Sequence, residues 1–314
     1  MVVLSALLKK EGFDVVVYSN KQHKVVRLFH MCFGVLKHLK ADYILIDTYS
    51  TTNFYYALIV SQLARLLSIK YLPILHGGNL PYRLHKNPKL CKLIFENSKI
   101  NVAPSRYLLQ EFQQKNFKTS YIPNTIELKG YSFKKRTMVG PKLLWVRAFD
   151  EIYNPAMAIK VLLEVLRTHP NARLCMVGSD KNGYLNSMKS LAKQFNVLEH
   201  ILFTGILPKE QWHQLSEGYD IFINTSNIDN TPVSVIEAMT LGLPVISTNV
   251  GGMPYLITHG VDGILVEKDD YKAMAHEIIK LIKENNLILV ENARKKVKNF
   301  EWSVVREKWI AILS

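Results

Sequence analysis

IFINTSNIDNTPVSVIEAMTLGLPVISTNVGG, residues Ile221 to Gly252, reads as strand, loop, helix and strand in succession. The apolar, β-branched run Ile221 to Asn224 predicts a buried strand, and Pro244 to Thr248 predicts another. Between them Thr231 is placed to cap a helix with Pro232 at its first position, and Gly242 to close that helix after Leu241. Two strands joined through one helix form the repeating element of a parallel sheet. The helix N-terminus then follows the carboxyl end of a strand, where open α/β sheets hold their ligands. Its free backbone N–H groups and its dipole favour a phosphate. Glu237 sits within the same helix.

The same alternation extends outward in both directions. Towards the N-terminus, strands are predicted at Phe13 to Tyr18, Tyr43 to Asp47, Tyr71 to Leu75, Ile100 to Ala103 and Thr119 to Ile122. Around the quoted stretch, Lys142 to Val146, Arg173 to Val177, Ile201 to Thr204 and Gly263 to Val266 complete a second series. Lys129 to Gly140 contains KGYSFKKR and little that packs, so it is expected to be a linker. The fold class is therefore α/β, with two Rossmann-like halves. The expected boundaries are an N-terminal domain over 1–128, the linker over 129–140, a C-terminal domain over 141–296 and a terminal helix over 297–314. In that helix Phe300, Trp302, Val305 and Trp309 recur at helical spacing, as a packing seam does.

With 314 residues, 48% hydrophobic and 21% charged, the chain has apolar material for two domains. Its three cysteines, Cys32, Cys91 and Cys175, show no CxxC or CxxH spacing, which argues for a reduced, cytoplasmic setting. No basic n-region precedes an apolar core at the N-terminus, so no signal peptide is expected. The longest apolar stretch, Phe54 to Leu67, is broken by Ser61, Gln62 and Arg65 and is too short to span a bilayer. Charge is uneven. Residues 1–140 carry 21 Lys and Arg against 7 Asp and Glu, whereas residues 141–314 are balanced at 19 each. The first half therefore attracts anions: a membrane surface, nucleic acid or a phosphorylated substrate. No recognised nucleic-acid motif accompanies that charge, so nucleic acid is not an expected partner.

Several short segments, in order, resemble the retaining glycosyltransferases of family 4. They are His76 in ILHGG, Pro104 and Ser105 in NVAPSRYL, Pro123 and Asn124 in IPNT, Arg147 in LLWVRAF, Gly178 in LCMVGSD, Gly205 in LFTG, and the block Asp229 to Gly252. The resemblance covers nearly the whole chain. It implies a GT-B fold, two Rossmann-like domains facing a central cleft, with the C-terminal helix crossing back to the N-terminal domain. It also implies transfer of a sugar from a nucleotide-diphosphate donor, a UDP or GDP sugar, to a glycan or lipid-linked acceptor. Surface polysaccharide or glycolipid synthesis is the implied setting, peripheral to the inner membrane face. No cofactor or metal is implied, and the chain contains no Asp-x-Asp.

The resemblance also distributes roles. Glu237 would hydrogen-bond the ribose hydroxyls of the donor, and Asp229 would contact the donor sugar near the reacting carbon. Arg147 would neutralise the departing diphosphate. Thr231, Pro232, Val233 and Ser234 would share that load through backbone N–H groups. Gly178 corresponds to a donor-side turn, and Gly205 and Ile206 to a segment bordering the nucleobase. His76 would contact the donor sugar from the N-terminal side. His76, Asp229 and Arg147 are thus the candidate catalytic residues.

Three features depart from the family pattern. Asp229 stands where the family has Glu, one methylene longer, and Ile152 stands five residues after Arg147 where the family has Lys. LSALLKKEGFDV resembles the end of the family's first helix, so a first strand and its glycine-rich loop are expected to be absent from this sequence. The alternative reading is a catalytically inactive nucleotide-sugar-binding remnant of the same fold.

Overall fold

The computed structural model describes residues 2–181 and 183–314. The chain divides into two compact units, residues 1–125 with 302–314, and residues 126–301.

The first unit is built on a four-stranded parallel sheet of β1 (Tyr43–Thr48), β2 (Lys70–Leu75), β3 (Asn101–Ala103) and β4 (Thr119–Tyr121), in that order. Side chains of β2 alternate between two cores, as the pleat dictates. Tyr71 and Leu75 face Phe54, Ala57 and Val60 of the helix Asn53–Leu66. Leu72 and Ile74 face Leu7 and Leu8 of the helix Val2–Lys10, together with Trp302, Val305 and Trp309 of the last helix, Trp302–Leu313. Three residues of the expected seam thus pack within the first unit, whereas Phe300 enters a core of the second with Ile126 and Tyr131. Trp302 Nε1 also donates to Glu11 Oε1 at 2.9 Å.

One expected strand is not formed. Residues 13–18 form no strand and join neither sheet. Phe13 and Val15 pack on the Leu7–Trp302 cluster while Val16 and Val17 stay exposed. The inward–outward pattern holds from Phe13 to Val16 and breaks at Val17, and a strand also needs a neighbour to complete its ladder, whereas β1 pairs only with β2 among the described residues.

The second unit holds β5 (Lys142–Val146), β6 (Arg173–Val177), β7 (Ile201–Gly205), β8 (Ile221–Asn224), β9 (Val245–Thr248) and β10 (Ile264–Val266). All are parallel, in the order β10-β9-β8-β5-β6-β7. Both faces are covered, which explains the continuous apolar runs. Leu143 and Trp145 enter the core shared with the helices Pro155–Leu166 and Tyr271–Lys283. Leu144 enters the opposite core with Val235, Ile236 and Met239 of the helix Val233–Leu241.

Three further expectations need correction. Residues 129–140 are not a linker but part of the second unit. Tyr131, Arg136 and Val139 are buried there, and Arg136 Nη1 and Nη2 donate to Leu241 O and Ser216 O, each at 3.0 Å. The guanidinium thus satisfies carbonyls left open at the ends of two helices. Thr231 is not a helix cap. The helix begins at Val233 with Pro232 before it and no side-chain cap, because Pro232 adopts the extended backbone that Thr231 was expected to supply. Gly242 does close that helix, at φ +80°. Finally, the terminal helix begins at Trp302 rather than 297. The helix Leu287–Val297 and a short turn precede it, and Glu301 is extended.

Candidate functional site

β5 and β8 are neighbours whose connections leave in opposite directions, to β6 and to β9. Their carboxyl ends form the switch point of the sheet, where a crevice opens for ligands. β5 delivers Arg147 and β8 delivers Asn224, followed by the loop to Asp229.

Arg147 Nη2 donates to Asp229 Oδ2, and its Nε lies 3.4 Å from Asn224 Oδ1. The guanidinium carbon stands 4.9 Å from the Tyr153 ring centroid, a cation–π distance. Ser226 Oγ lies 2.9 Å from both Asp229 Oδ2 and Asn224 Oδ1 and shares one proton between them. Asp229 Oδ1 accepts from Asn230 N at 2.9 Å. Both charged groups are largely buried.

Backbone contacts fix the loops that carry this pair. A Cβ on Gly178 would lie 1.7 Å from Arg147 O, so only glycine fits that crossing. Gly178 N donates to Gly205 O at 2.9 Å and Arg147 N to Val177 O at 3.0 Å, joining the ends of β5, β6 and β7. On the other side, Gly252 N donates to Asp229 O at 3.1 Å, and a Cβ on Gly252 would lie 1.9 Å from Asn230 O. Ile152 contributes its carbonyl, which accepts from Asn227 N at 2.7 Å. That position holds the loops together and supplies no cation.

Past Asp229, Thr231 and Pro232 are buried, and Val233 is exposed at the first turn of its helix. Pro232 has no N–H, which removes it from the expected phosphate donors and leaves backbone N–H groups on Thr231, Val233 and Ser234. Ser234 Oγ is buried without a hydrogen-bond partner. Ile206, 75% exposed, follows Gly205 at φ +71°.

Glu237 is buried one turn further along the helix. Tyr131 Oη donates to its Oε1 at 2.9 Å, Lys209 Nζ lies 3.0 Å from the same oxygen, and His213 Nε2 lies 3.6 Å from it. Burial alone would push the Glu237 carboxyl up. His213, Lys209 and Tyr131 outweigh that and hold it below the ordinary value. Burial and the Glu237 charge push the Tyr131 hydroxyl upward, so it stays a donor. Sequence reasoning missed these neighbours. Tyr131 lay in the supposed linker, while Lys209 and His213 stand one turn apart on the helix Lys209–Ser216, a basic pair visible in retrospect.

His76 follows β2 in the first unit, and its neighbours described here are that unit's own. Its Nε2 is 2.9 Å from Asp47 Oδ1, and its ring stacks on Tyr49 with centroids 5.3 Å apart. Burial opposes ionisation of Asp47, but favourable contacts led by the His76 hydrogen bond keep its carboxyl below the usual range. Gly77 follows because a Cβ there would lie 2.8 Å from Ser50 N. Among the described residues, no three His, Cys, Asp or Glu side chains gather as a metal-ligand set.

Two parallel α/β units, the second carrying a basic and acidic pair at its switch point, define a GT-B protein, and solved structures share that fold. The chain belongs to the glycosyl transferases group 1 family, whose model matches residues 133–300. It is similar to N-acetyl-alpha-D-glucosaminyl L-malate synthase of Bacillus anthracis, with 26% identity over 248 residues covering 73% of this chain and 63% of that protein. It is also similar to an Escherichia coli UDP-Gal:alpha-D-GlcNAc-diphosphoundecaprenol alpha-1,3-galactosyltransferase, with 27% identity covering 69% of this chain and 54% of that one. The match thus spans 63% and 54% of the length of these two curated relatives. Among solved structures, Anabaena Alr3699/HepE in complex with UDP-glucose superposes with a TM-score of 0.79 at 17% identity, covering 99% of this chain and 88% of that one. Sucrose-phosphate synthase from Thermosynechococcus elongatus gives 0.74 at 19% identity, covering 95% and 80%.

Proposed function

We propose that this chain is a retaining glycosyltransferase that moves a sugar from a nucleotide-diphosphate donor, a UDP sugar first among candidates, to a glycan or lipid-linked acceptor. The observation that carries the reading is the switch point of the second sheet. There Arg147 is held at the end of β5, and the loop from β8 leads into a helix whose first turn has a buried, unpartnered Ser234 hydroxyl. A diphosphate supplies the acceptor oxygens that such a first turn lacks, and negative charge beside the cation. All three side chains around Glu237 act on Oε1, which leaves Oε2 for a ribose hydroxyl. The UDP complexes of the HepE fold relative and the UDP-Gal specificity in the Escherichia coli relative's name favour uridine.

In this reading Arg147 stabilises charge on the departing diphosphate, and Asp229 holds Arg147 and borders the sugar. The leaving phosphate assists acceptor deprotonation on the face it departs from, so configuration is retained. His76, oriented by Asp47, is assigned to the donor sugar. The basic N-terminal half is read as meeting an anionic membrane where a lipid-linked acceptor resides. No helix among the described residues is long and apolar enough to cross that membrane.

The test is thermal unfolding of the chain with UDP, GDP and ADP, followed by their sugar conjugates. Ligand at about 100 times its Kd adds about 2.7 kcal/mol, roughly 2–4 °C per kcal/mol for a domain of this size. Absence of any shift overturns the donor site. A second reading, donor binding without transfer, is favoured by Asp229 and Ile152, and binding of a UDP sugar with no turnover on any acceptor would select it.

A further inference from the structure

The helix Lys24–Lys37 presents a large apolar face to solvent although its inward face is already filled. Gly34 and Val35 are buried on the inward side. A Cβ on Gly34 would lie 2.5 Å from the Tyr18 ring, and the Tyr18 hydroxyl and His38 Nε2 are 2.9 Å apart. At the other end Tyr56 Oη donates to Lys24 O at 3.1 Å. These contacts fix the rotation of the helix. Val25, Val26, Phe29, Phe33 and Leu36 consequently point outward, with Phe29 70% and Phe33 57% exposed. At 100° per residue they fall on one stripe about 100° wide.

Charge decides what covers this stripe. Residues 15–41 contain no Asp or Glu and five Lys and Arg. Lys21 and Lys24 lie at the start of the helix, and Lys37 and Lys40 at its end, all exposed. A second copy of the same face would set these cations against one another. An acidic protein surface would answer the charge but gives no reason for exposed phenylalanines. An anionic bilayer answers both, because headgroups meet the lysines while the rings enter the acyl boundary.

We infer that the helix Lys24–Lys37 is a membrane-docking face that lies flat in the interface of an anionic bilayer, with Phe29 and Phe33 inserted and the terminal lysines on phospholipid headgroups. This deepens the reading of the basic half as the membrane side and names the surface responsible.

The experiment is co-sedimentation of the full chain with phosphatidylcholine vesicles, with and without phosphatidylglycerol. Thermal stabilisation by UDP is measured on every variant, because it reports donor binding independently of lipid. The expected result is binding to the anionic vesicles at least tenfold tighter than to neutral ones. Phe29→Ser with Phe33→Ser should weaken it more than about tenfold, and Lys37→Gln with Lys40→Gln by about 30-fold, at roughly 1 kcal/mol per charge. UDP stabilisation should stay unchanged in both. No preference for anionic vesicles overturns the inference, as does wild-type binding by the phenylalanine variant. A concentration-dependent dimer that the phenylalanine variant abolishes also overturns it and assigns the face to a second copy. Loss of UDP stabilisation in the wild type would overturn the donor site instead and leave the vesicle result standing.

Discussion

Arg147 at the end of β5 and Asp229 after β8 are paired with each other, so the cation that a diphosphate needs is already matched to a carboxylate in the free protein. Donor binding must therefore compete with, or add to, an internal ion pair. Asp229→Asn keeps a polar group beside Ser226 and Asn230 but removes the competing charge. UDP should then bind several-fold more tightly while transfer from a UDP sugar falls about 100-fold, because only the second step needs the carboxylate at the sugar. Titration calorimetry with UDP and turnover with the full donor separate the two. Weaker UDP binding by the variant would show that Asp229 serves chiefly to place Arg147.

Glu237 should matter more to donor binding than Asp229. Glu237→Ala is expected to abolish measurable binding of a nucleoside diphosphate, whereas Asp229→Ala should retain it. Tyr131→Phe removes one hydrogen bond to the same oxygen and should cost about 1–3 kcal/mol of stability. Denaturant unfolding and UDP titration of the three variants check this. Undiminished binding by Glu237→Ala would remove the residue from the site.

Two glycines are expected to be intolerant for steric reasons. Gly178→Ala pushes a methyl against Arg147 O, and Gly252→Ala pushes one against Asn230 O. Each should cost about 1–3 kcal/mol and misplace one member of the Arg147–Asp229 pair. Gly183→Ala is the control, because the space about it is open although its φ of +76° carries its own strain. Donor affinity should fall in the first two and hold in the third.

What could be read from the sequence follows from what is local. β5, β6, β8 and β9 were legible because strands buried on both faces carry apolar runs, and Gly242 was legible because a helix end needs a left-handed residue. Residues 13–18 misled because an apolar, β-branched run reports strand propensity and says nothing about a ladder partner. Tyr131 and Arg136 were hidden because burial of a few residues in a polar stretch depends on groups elsewhere, Glu237 and the carbonyls of Ser216 and Leu241. The shift of the helix start from Pro232 to Val233 moved no chemistry, but it showed that Pro232 precedes the helix.

Acid should reveal the Glu237 cluster. Because the folded carboxyl lies below its ordinary 4.5, its contribution is complete above about pH 4.5 and is lost as pH falls through the lower folded value. The stability difference between the wild type and Glu237→Gln should be constant from pH 7 to about 5 and shrink below that. Chemical denaturation over pH 3–7 measures it. A difference that grows towards acid pH would mean that burial, not the neighbouring cations, sets the carboxyl.

The last helix completes the core of the first unit through Trp302, Val305 and Trp309, although the whole second unit intervenes in sequence. On the ribosome, the first unit therefore emerges without one wall of its core, exposing Leu72, Ile74 and Val102 until residues 302–309 clear the exit tunnel. The second unit, continuous from 126 to 301, can close as soon as it is made. Order of synthesis and order of folding are thus reversed, and the early-made half is the one that needs protection from aggregation while it waits.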